Sequence, residues 1–436
     1  MLFLKNFKKI FFPFYKKKII KDLFQILNKN KTKNAMFVGG CVRKHVNNED
    51  IGDIDIATCL TPEEVIRKFD GNLNFKIHKT GIDHGTLTVV SNLDGSSFEI
   101  TTLREDISTD GRHAKVSFTK DWTKDSERRD FTINAIYMDE KGKIFDPQNG
   151  LKDLKEKKIK FIGNAHERIQ EDYLRILRYL RFSLMYQDLE VDENTSKAIE
   201  INVSGINKLA KERIYLELKK IIDLNNLDSI FKNKFLYNLT KVLFPELRYF
   251  DRVKNLKSFK NILGYYPVGF IFSLLLIDKT NNHQYFIHKY KVSNIMKVTL
   301  NFYQENLKEI EENRNFFKKD LRRNIFYIGK YLNKREQDEY FKKNNHYFYT
   351  SKMKELAVFY YLTLSKPKLP DLKSLISKIN SVRLPKYPVS GDDLLKKGMK
   401  NGKRIGLALK AIEKKWIDNN FDLKNEDLDS LLKKYI

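Results

Sequence analysis

Cysteine is nearly absent: Cys41 and Cys59 are the only two in 436 residues. That excludes a disulfide framework and sets a reducing, cytoplasmic environment as the expectation. Nine prolines and 19 glycines leave no long flexible linker, and no Gly/Ser hinge announces a boundary. The eight histidines are scattered, with neither zinc-ligand spacing nor a His-Asp phosphohydrolase pattern. No apolar run suits a membrane span. The first 33 residues mix aromatics with lysines, Pro13 interrupts their longest apolar stretch, and no small-residue cleavage site follows, so helical packing against the rest of the chain is expected. Acidic residues are in deficit, 56 against 82 Lys and Arg, for a net charge of +26. Such an excess suits a polyanion, RNA first among them. The accompanying wealth of Asn, Ile, Phe and Tyr points to a compositional bias, so charge alone does not locate a binding surface. No internal repeat of fixed period is present.

Within that background, Ile51-Gly-Asp-Ile-Asp-Ile-Ala-Thr58 alternates like a half-buried strand. Period two puts Asp53 and Asp55 on one face, with Ile54 and Ile56 directed to a core. Two hard anions sharing one site are costly without cations, and the pair is expected to bind Mg²⁺. Upstream, Ala35-Met-Phe-Val38 reads as a short buried strand entering Gly39-Gly40 and a helix that begins Cys41-Val-Arg43. Glycines and a helix start bring backbone N–H groups close to phosphate, and Arg43 adds a cation. Taken singly, Gly-Gly is a turn and Asp-x-Asp a solvated strand end. Glu99, in the alternating stretch Phe98-Glu-Ile-Thr-Thr-Leu-Arg104, is expected on a strand beside them. Three carboxylates can bridge two ions that clamp the attacking and leaving oxygens of an in-line displacement.

Two further stretches carry charge in order. Asp125-Ser-Glu-Arg-Arg-Asp-Phe-Thr-Ile-Asn-Ala-Ile-Tyr137 clusters Arg128, Arg129 and Asp130 ahead of an apolar run containing Asn134. Its bland reading is a helix with salt-bridged ends. Arg168 to Phe182 reads as one helix whose stripe is Tyr173, Leu177 and Leu180, continued by Leu184. Glu171, Asp172, Arg175 and Arg178 fall on another arc, where Asp172 and Arg175 at i, i+3 can project side by side. A carboxylate accepts and a guanidinium donates, so the pair matches the amino donor and ring-nitrogen acceptor of cytosine or adenine and mismatches uracil and guanine. Two unpaired buried groups at about 1–3 kcal/mol each would discriminate roughly a hundredfold. The alternative is an ordinary surface ion pair worth ~0.3–0.5 kcal/mol.

Strand, Gly-Gly, helix and Asp-x-Asp strand, taken in order, resemble the head of the nucleotidyltransferase superfamily that includes DNA polymerase beta. Arg-Arg-Asp-Phe-Thr-x-Asn-Ala is similar to the signature of the bacterial poly(A) polymerase and CCA-adding enzyme family. Glu-Asp-x-x-Arg followed by Ile-Leu-Arg-x-x-Arg-Phe resembles the nucleotide template of class II CCA-adding enzymes. Asp110, Gly111 and Arg112, within Ile107 to Val116, resemble that family's flexible loop, which enzymes adding only CC characteristically lack. Further likeness lies in Gly81 to Thr86, Leu209-Ala-Lys-Glu-Arg-Ile214, Ser390-Gly-Asp-Asp-Leu-Leu and Trp416 to Phe421. Departures are Lys44, where the family usually carries Asp or Asn after Val-Arg, and Val46-Asn-Asn-Glu-Asp50 in place of Leu-Leu-Gly.

The resemblance implies an α+β fold: a mixed-sheet, polymerase beta-like head at 34–163, then a helical neck at 164–223, body at 224–370 and tail at 371–436, with 1–33 as a helical extension. Lys366-Pro-Lys-Leu-Pro370 is the best break between body and tail. It implies that C, C and A are added to a tRNA 3′ end from CTP and ATP. In that reading Asp53, Asp55 and Glu99 are catalytic, and Gly39, Gly40 and Arg43 hold the triphosphate. Arg129, Asp130 and Asn134 support the sugar, and Glu171, Asp172, Arg175 and Arg178 read the base. The expected molecule is a monomer without a membrane partner, gripping tRNA through body and tail. Within the same family, a poly(A) polymerase or an A-adding enzyme is the alternative; from another class, an inactive RNA-binding module. Tyr340 to Tyr349 interleaves aromatics and cations, and reads as a solvated helix or loop over core aromatics more than as an RNA contact.

Overall fold

A computed structural model describes residues 13–28, 33–109, 114–187, 190–224, 226–254, 256–333, 345–365, 368–400 and 402–435. Asp110, Gly111 and Arg112 lie outside the described residues, as do Tyr340 to Asn344, Lys366 and Pro367. The chain resolves into two compact units, Met1–Pro245 with Lys289–Lys291, and Glu246–His288 with Val292–Ile436.

The first unit is built on a seven-stranded sheet. Its strands are β1 (Ala35–Val38), β2 (Ile54–Thr58), β3 (Phe75–His78), β4 (Thr86–Ser91), β5 (Ser97–Thr102), β8 (Tyr137–Met138) and β9 (Ile144–Phe145), ordered β3-β4-β5-β2-β1-β8-β9. β2 and β5 run parallel and the other neighbours antiparallel. β6 (Arg104–Thr109) and β7 (Ala114–Phe118) form a separate two-stranded ribbon, so the expected loop is carried by a hairpin.

All four β1 residues are buried because β1 is covered on both faces. Met36 and Val38 pack with Ala57, Leu103 and Tyr137. On the other side Phe37 meets Phe14 at 4.9 Å and Phe24 at 4.6 Å between ring centroids. Phe24 belongs to α1 (Lys18–Leu27), whose Ile20, Leu23, Phe24 and Leu27 recur at helical spacing and are buried. The described part of the extension thus packs as a helix on the head. α2 (Gly40–Val46) joins β1 to β2, and α3 (Pro62–Phe69) opens with a capping box between Thr61 and Glu64 and Pro at its first turn.

α4 (Trp122–Glu127) and α5 (Gly150–Glu156) complete the head; α6 (Ala165–Glu171), α7 (Leu174–Tyr186), α8 (Glu193–Asn202) and α9 (Lys211–Ile222) follow. One helix across Arg168–Phe182 is therefore corrected to two. Asp172 is extended, with φ −153° and ψ 104°, and its Oδ1 accepts from Leu174 N at 3.1 Å. A short acidic side chain competes with the helical ladder and closes a local turn onto Leu174 N instead. Tyr173, expected on the buried stripe, is half-buried beside Gly205, where any Cβ would stand 2.1 Å from its ring. Leu177, Leu180 and Leu184 are buried as expected.

No division between the two units falls at 223 or 370. Residues 226–245 stay with the first unit: Asn226 Nδ2 donates to Leu184 O at 2.5 Å, and Leu227 and Ile230 are buried. The second unit is helical. Its Val268–Leu276 helix buries seven of nine residues, and Tyr303 donates to the carboxylate of Glu355 at 2.9 Å. The Ser390 and Trp416 segments serve structure there. Ser390 caps the Gly391–Lys396 helix through Asp393, Leu394 is buried, and the rings of Trp416 and Phe421 meet edge to face at 4.9 Å. Among the described residues no helix is long and apolar enough to cross a membrane.

Candidate active site

β1 runs into Gly39, whose φ of 68° and ψ of −119° a side chain would strain; the turn starts α2 at Gly40. A methyl group at Gly40 would stand 3.9 Å from Asp55 Oδ2, so helix start and carboxylate are neighbours. Parallel register places Asp55 directly opposite Glu99, and Asp53 precedes β2 by one residue on the same alternating face. The two strands thus bring together the carboxylates expected to share a site. Burial raises the Asp55 carboxyl above its usual range, with Glu99 and Asp53 adding repulsion and Arg129 and Arg43 partly opposing it. Among the described residues no three His, Cys, Asp or Glu side chains are already drawn together as a metal cage. The donor set is nonetheless hard oxygen, carries excess negative charge and stands on one sheet face, which fits Mg²⁺. Cys41 lies beneath: its thiol contacts the backbone oxygens of Val38 and Asp55, and burial pushes it up to about 11, which makes it a packing group.

The stretch from Asp125 to Tyr137 is a bridge more than a helix. α4 ends at Glu127, a 3₁₀ turn spans Thr132–Asn134, and Tyr137 enters β8. Asp125, fully buried, receives Arg128 Nε at 2.8 Å, Arg129 Nη2 at 3.0 Å and the Tyr137 hydroxyl at 2.7 Å. Burial alone would raise its carboxyl, but the two guanidiniums hold it at about 2. Arg129 also donates to Tyr137 Oη at 3.1 Å and to Asn134 O at 3.4 Å, so its donors face protein. Asp130 accepts from Phe131 N at 2.9 Å, Asn134 Nδ2 at 2.8 Å and Arg178 Nε at 2.5 Å, and is likewise held at about 2 against its burial. Arg43 is 6% exposed and donates to Asn134 Oδ1 and, at 2.7 Å, to the Tyr186 hydroxyl.

Asp172 and Arg175 do not make the i, i+3 pair, because the break between α6 and α7 gives each its own partner. Asp172 Oδ2 accepts from Arg213 Nη2 at 2.8 Å, and Arg175 Nη1 donates to Glu171 at 2.6 Å and to Arg168 O at 2.7 Å. Arg168 in turn donates to Glu171 Oε1 at 2.7 Å and to the backbone oxygens of Arg128 and Arg129 at 2.6 and 2.9 Å. Glu171, Arg175 and the Arg128–Arg129 backbone are thereby one assembly. Sequence reasoning assigned no role to Asp125, Tyr137, Arg168, Tyr186 or Arg213. Asp125 stands at helical i, i+3 and i+4 spacing from Arg128 and Arg129, and Arg213 lies in the Leu209–Ile214 segment, so both had a signal.

Known proteins resemble this chain in sequence and in fold. The family model described as "Poly A polymerase head domain" matches residues 35–160, and that for "Probable RNA and SrmB- binding site of polymerase A" matches 188–250. The Homo sapiens protein "CCA tRNA nucleotidyltransferase 1, mitochondrial" is 33% identical over 417 residues, covering 91% of this chain and 86% of its own. The "CCA-adding enzyme" of Oceanobacillus iheyensis is 39% identical over 267 residues, 60% of this chain and 64% of that one. Among solved structures, a Bacillus stearothermophilus CCA-adding enzyme in complex with CTP superposes with a TM-score of 0.59 at 22% identity, over 96% of this chain and 98% of that one. A Thermotoga maritima CCA-adding enzyme complexed with tRNA gives 0.58 at 21% identity, over 97% of each.

Proposed function

The chain belongs to the family of CCA-adding enzymes, a group of nucleotidyltransferases, and on that premise we propose that it adds C, C and A to the 3′ end of tRNA from CTP and ATP. The observation that carries this reading is the in-register pairing of Asp55 with Glu99, beside Asp53 and the Gly39-Gly40 helix start. In each cycle the tRNA 3′-hydroxyl oxygen gives up its proton to solvent and forms a bond to the α-phosphorus, the bond from that phosphorus to the bridging oxygen breaks, and pyrophosphate leaves with the electron pair. Asp53 and Asp55 would hold Mg²⁺, assisted by Glu99, and the ion when bound supplies charge neutralisation at the attacking and leaving oxygens.

The remaining work falls to side chains of this chain. Gly39, Gly40 and the α2 backbone would face the triphosphate, with Arg43 adding positive charge from its buried position. Arg129, Asp130 and Asn134 fix the bridge that flanks the sugar. Arg175 is the donor held by Glu171, and Asp172 the acceptor held by Arg213, so each half of the base-reading edge is pre-oriented by a charged partner. That edge complements cytosine and adenine and leaves uracil and guanine mismatched. Head, neck, body and tail at 34–163, 164–223, 224–370 and 371–436 would divide the labour, the last two holding the tRNA.

The test is to incubate the purified chain and Mg²⁺ with tRNA lacking its last three nucleotides, supply all four nucleoside triphosphates and sequence the product ends. Uniform CCA is expected. A single A added only to CC-ended tRNA would make it an A-adding enzyme, long A tracts a poly(A) polymerase, and tRNA binding without addition a binding module.

A further inference from the structure

Phe182, on α7, is 2% exposed and carries no polar group of its own. Three guanidinium carbons nevertheless surround its ring: Arg181 at 4.3 Å from the centroid, Arg43 at 4.9 Å and Arg178 at 5.6 Å. They come from two elements, α2 and α7. Gathering three cations about one buried ring is unfavourable unless each is compensated. Arg178 has Asp130, and Arg181 has Glu217 of α9. The hydrogen-bond acceptors of Arg43 are both neutral, Asn134 and Tyr186. Its charge is felt at Asp55 without a hydrogen bond to it, and its guanidinium leans on the π face of Phe182, with the Tyr186 ring, 5.8 Å away, stacked behind that ring at 6.5 Å and 15°. The edge of Phe131, the residue after Asp130, closes the ring's other side at 5.6 Å and 78°.

We propose that Phe182 is a positioning residue for nucleotidyl transfer: its ring ties α2, which starts at the glycine turn beside Asp55, to α7 and to the Asp130–Asn134 bridge. The inference rests on the function proposed above and adds a residue whose influence passes through others. An aliphatic side chain of similar bulk would fill the space but leave Arg43 free to choose another rotamer. Arg43 is joined to Asn134, and Asn134 to Asp130, so the displacement would reach the bridge that flanks the sugar. The geometry of α2 relative to the base-reading arc would loosen even though the fold persists.

The experiment replaces Phe182 with mono-, di- and trifluorinated phenylalanine, which keep shape and burial while draining electron density from the ring face, and adds Phe182→Leu as the endpoint. A steady fall of kcat for CTP and ATP addition along the series, reaching about tenfold in the leucine variant, is expected. The Kd for tRNA should not change, and Tm should decline along the same series. A flat kcat across the fluorinated series, with loss only in Phe182→Leu, would reduce Phe182 to packing and overturn the inference. A flat Tm would show that the ring does not hold the three arginines. If the unsubstituted chain adds no nucleotide, the functional reading falls, while the Tm series still decides whether the ring couples the elements.

Discussion

Two sets of carboxylates in the head are treated in opposite ways: Asp125 and Asp130 are buried, whereas Asp55 is half-buried and Asp53 and Glu99 are exposed. Asp125 and Asp130 on the bridge each meet a guanidinium and two further donors, and their carboxyls are held at about 2. Asp55 on the sheet faces Glu99 and Asp53, and its carboxyl is raised. The first set is complete within the protein and the second is not. A cluster of anions that the fold brings together without closing is a cluster that gains stability from a cation arriving from outside. The same chain thus sets one residue type in closed ion pairs and in an open anionic cluster, and the partner decides which.

Substitutions can break this contrast in a graded way. Asp53→Ala should lower nucleotide incorporation by at least about a thousandfold while tRNA affinity and Tm hold; retained turnover in a single-turnover assay would remove Asp53 from the chemistry. Asp125→Asn should act on the other side of the comparison, costing about 3–5 kcal/mol because Arg128 and Arg129 lose a buried partner, read as a shift in urea midpoint; an unchanged midpoint would mean the pairs add nothing.

Acid sharpens the same distinction. Folded carboxyls at about 2 lie below the unfolded value near 3.8, so the stability from Asp125 and Asp130 is present above about pH 4 and is lost as pH falls towards 2. On the order of 2 kcal/mol each should disappear over that window. Asp130→Asn should flatten its share of the pH dependence, and an identical curve would contradict the assignment. Asp172 stands between the two sets, paired with Arg213 yet 24% exposed at its side chain. Asp172→Ala should cost roughly tenfold in selection of CTP and ATP over UTP and GTP, with tRNA binding preserved; unchanged discrimination in a competition assay would end the base-reading role. Mg²⁺ supplied at ten times its Kd should raise stability by only about 1.4 kcal/mol. Asp55→Asn should remove most of that gain in a thermal melt, and an equal gain in both proteins would place the ion elsewhere.

The sheet side of the site was legible because period two is a strong constraint. The alternation around Asp53 and Asp55 and that around Glu99 each predict a strand, and the register of β2 on β5 brings the carboxylates together. The helical side was less legible. A 3.6-residue period runs through Arg168 to Phe182 without interruption, yet the helix ends at Asp172, whose side chain turns back onto Leu174 N and competes with the backbone ladder. Once the helix breaks, i, i+3 spacing no longer specifies a pair, and Arg213, distant in sequence, takes the partner's place. Asp125 was visible but read as a salt-bridged helix end. Its complete burial is a tertiary fact that local pattern does not contain.

The parallel pairing of β2 with β5 also bears on how the molecule comes into being. Ile54 can meet Phe98 only after β3, β4 and the turn between β4 and β5 have formed or been looped out. Contacts so distant along the chain close late and slowly. The carboxylates that repel one another are therefore brought face to face only after the more local β3–β4 and β4–β5 pairings, while the pairing of Phe37 with Met138 joins residues more distant still. A nascent head would gather its open anionic cluster in that one pairing step rather than by degrees.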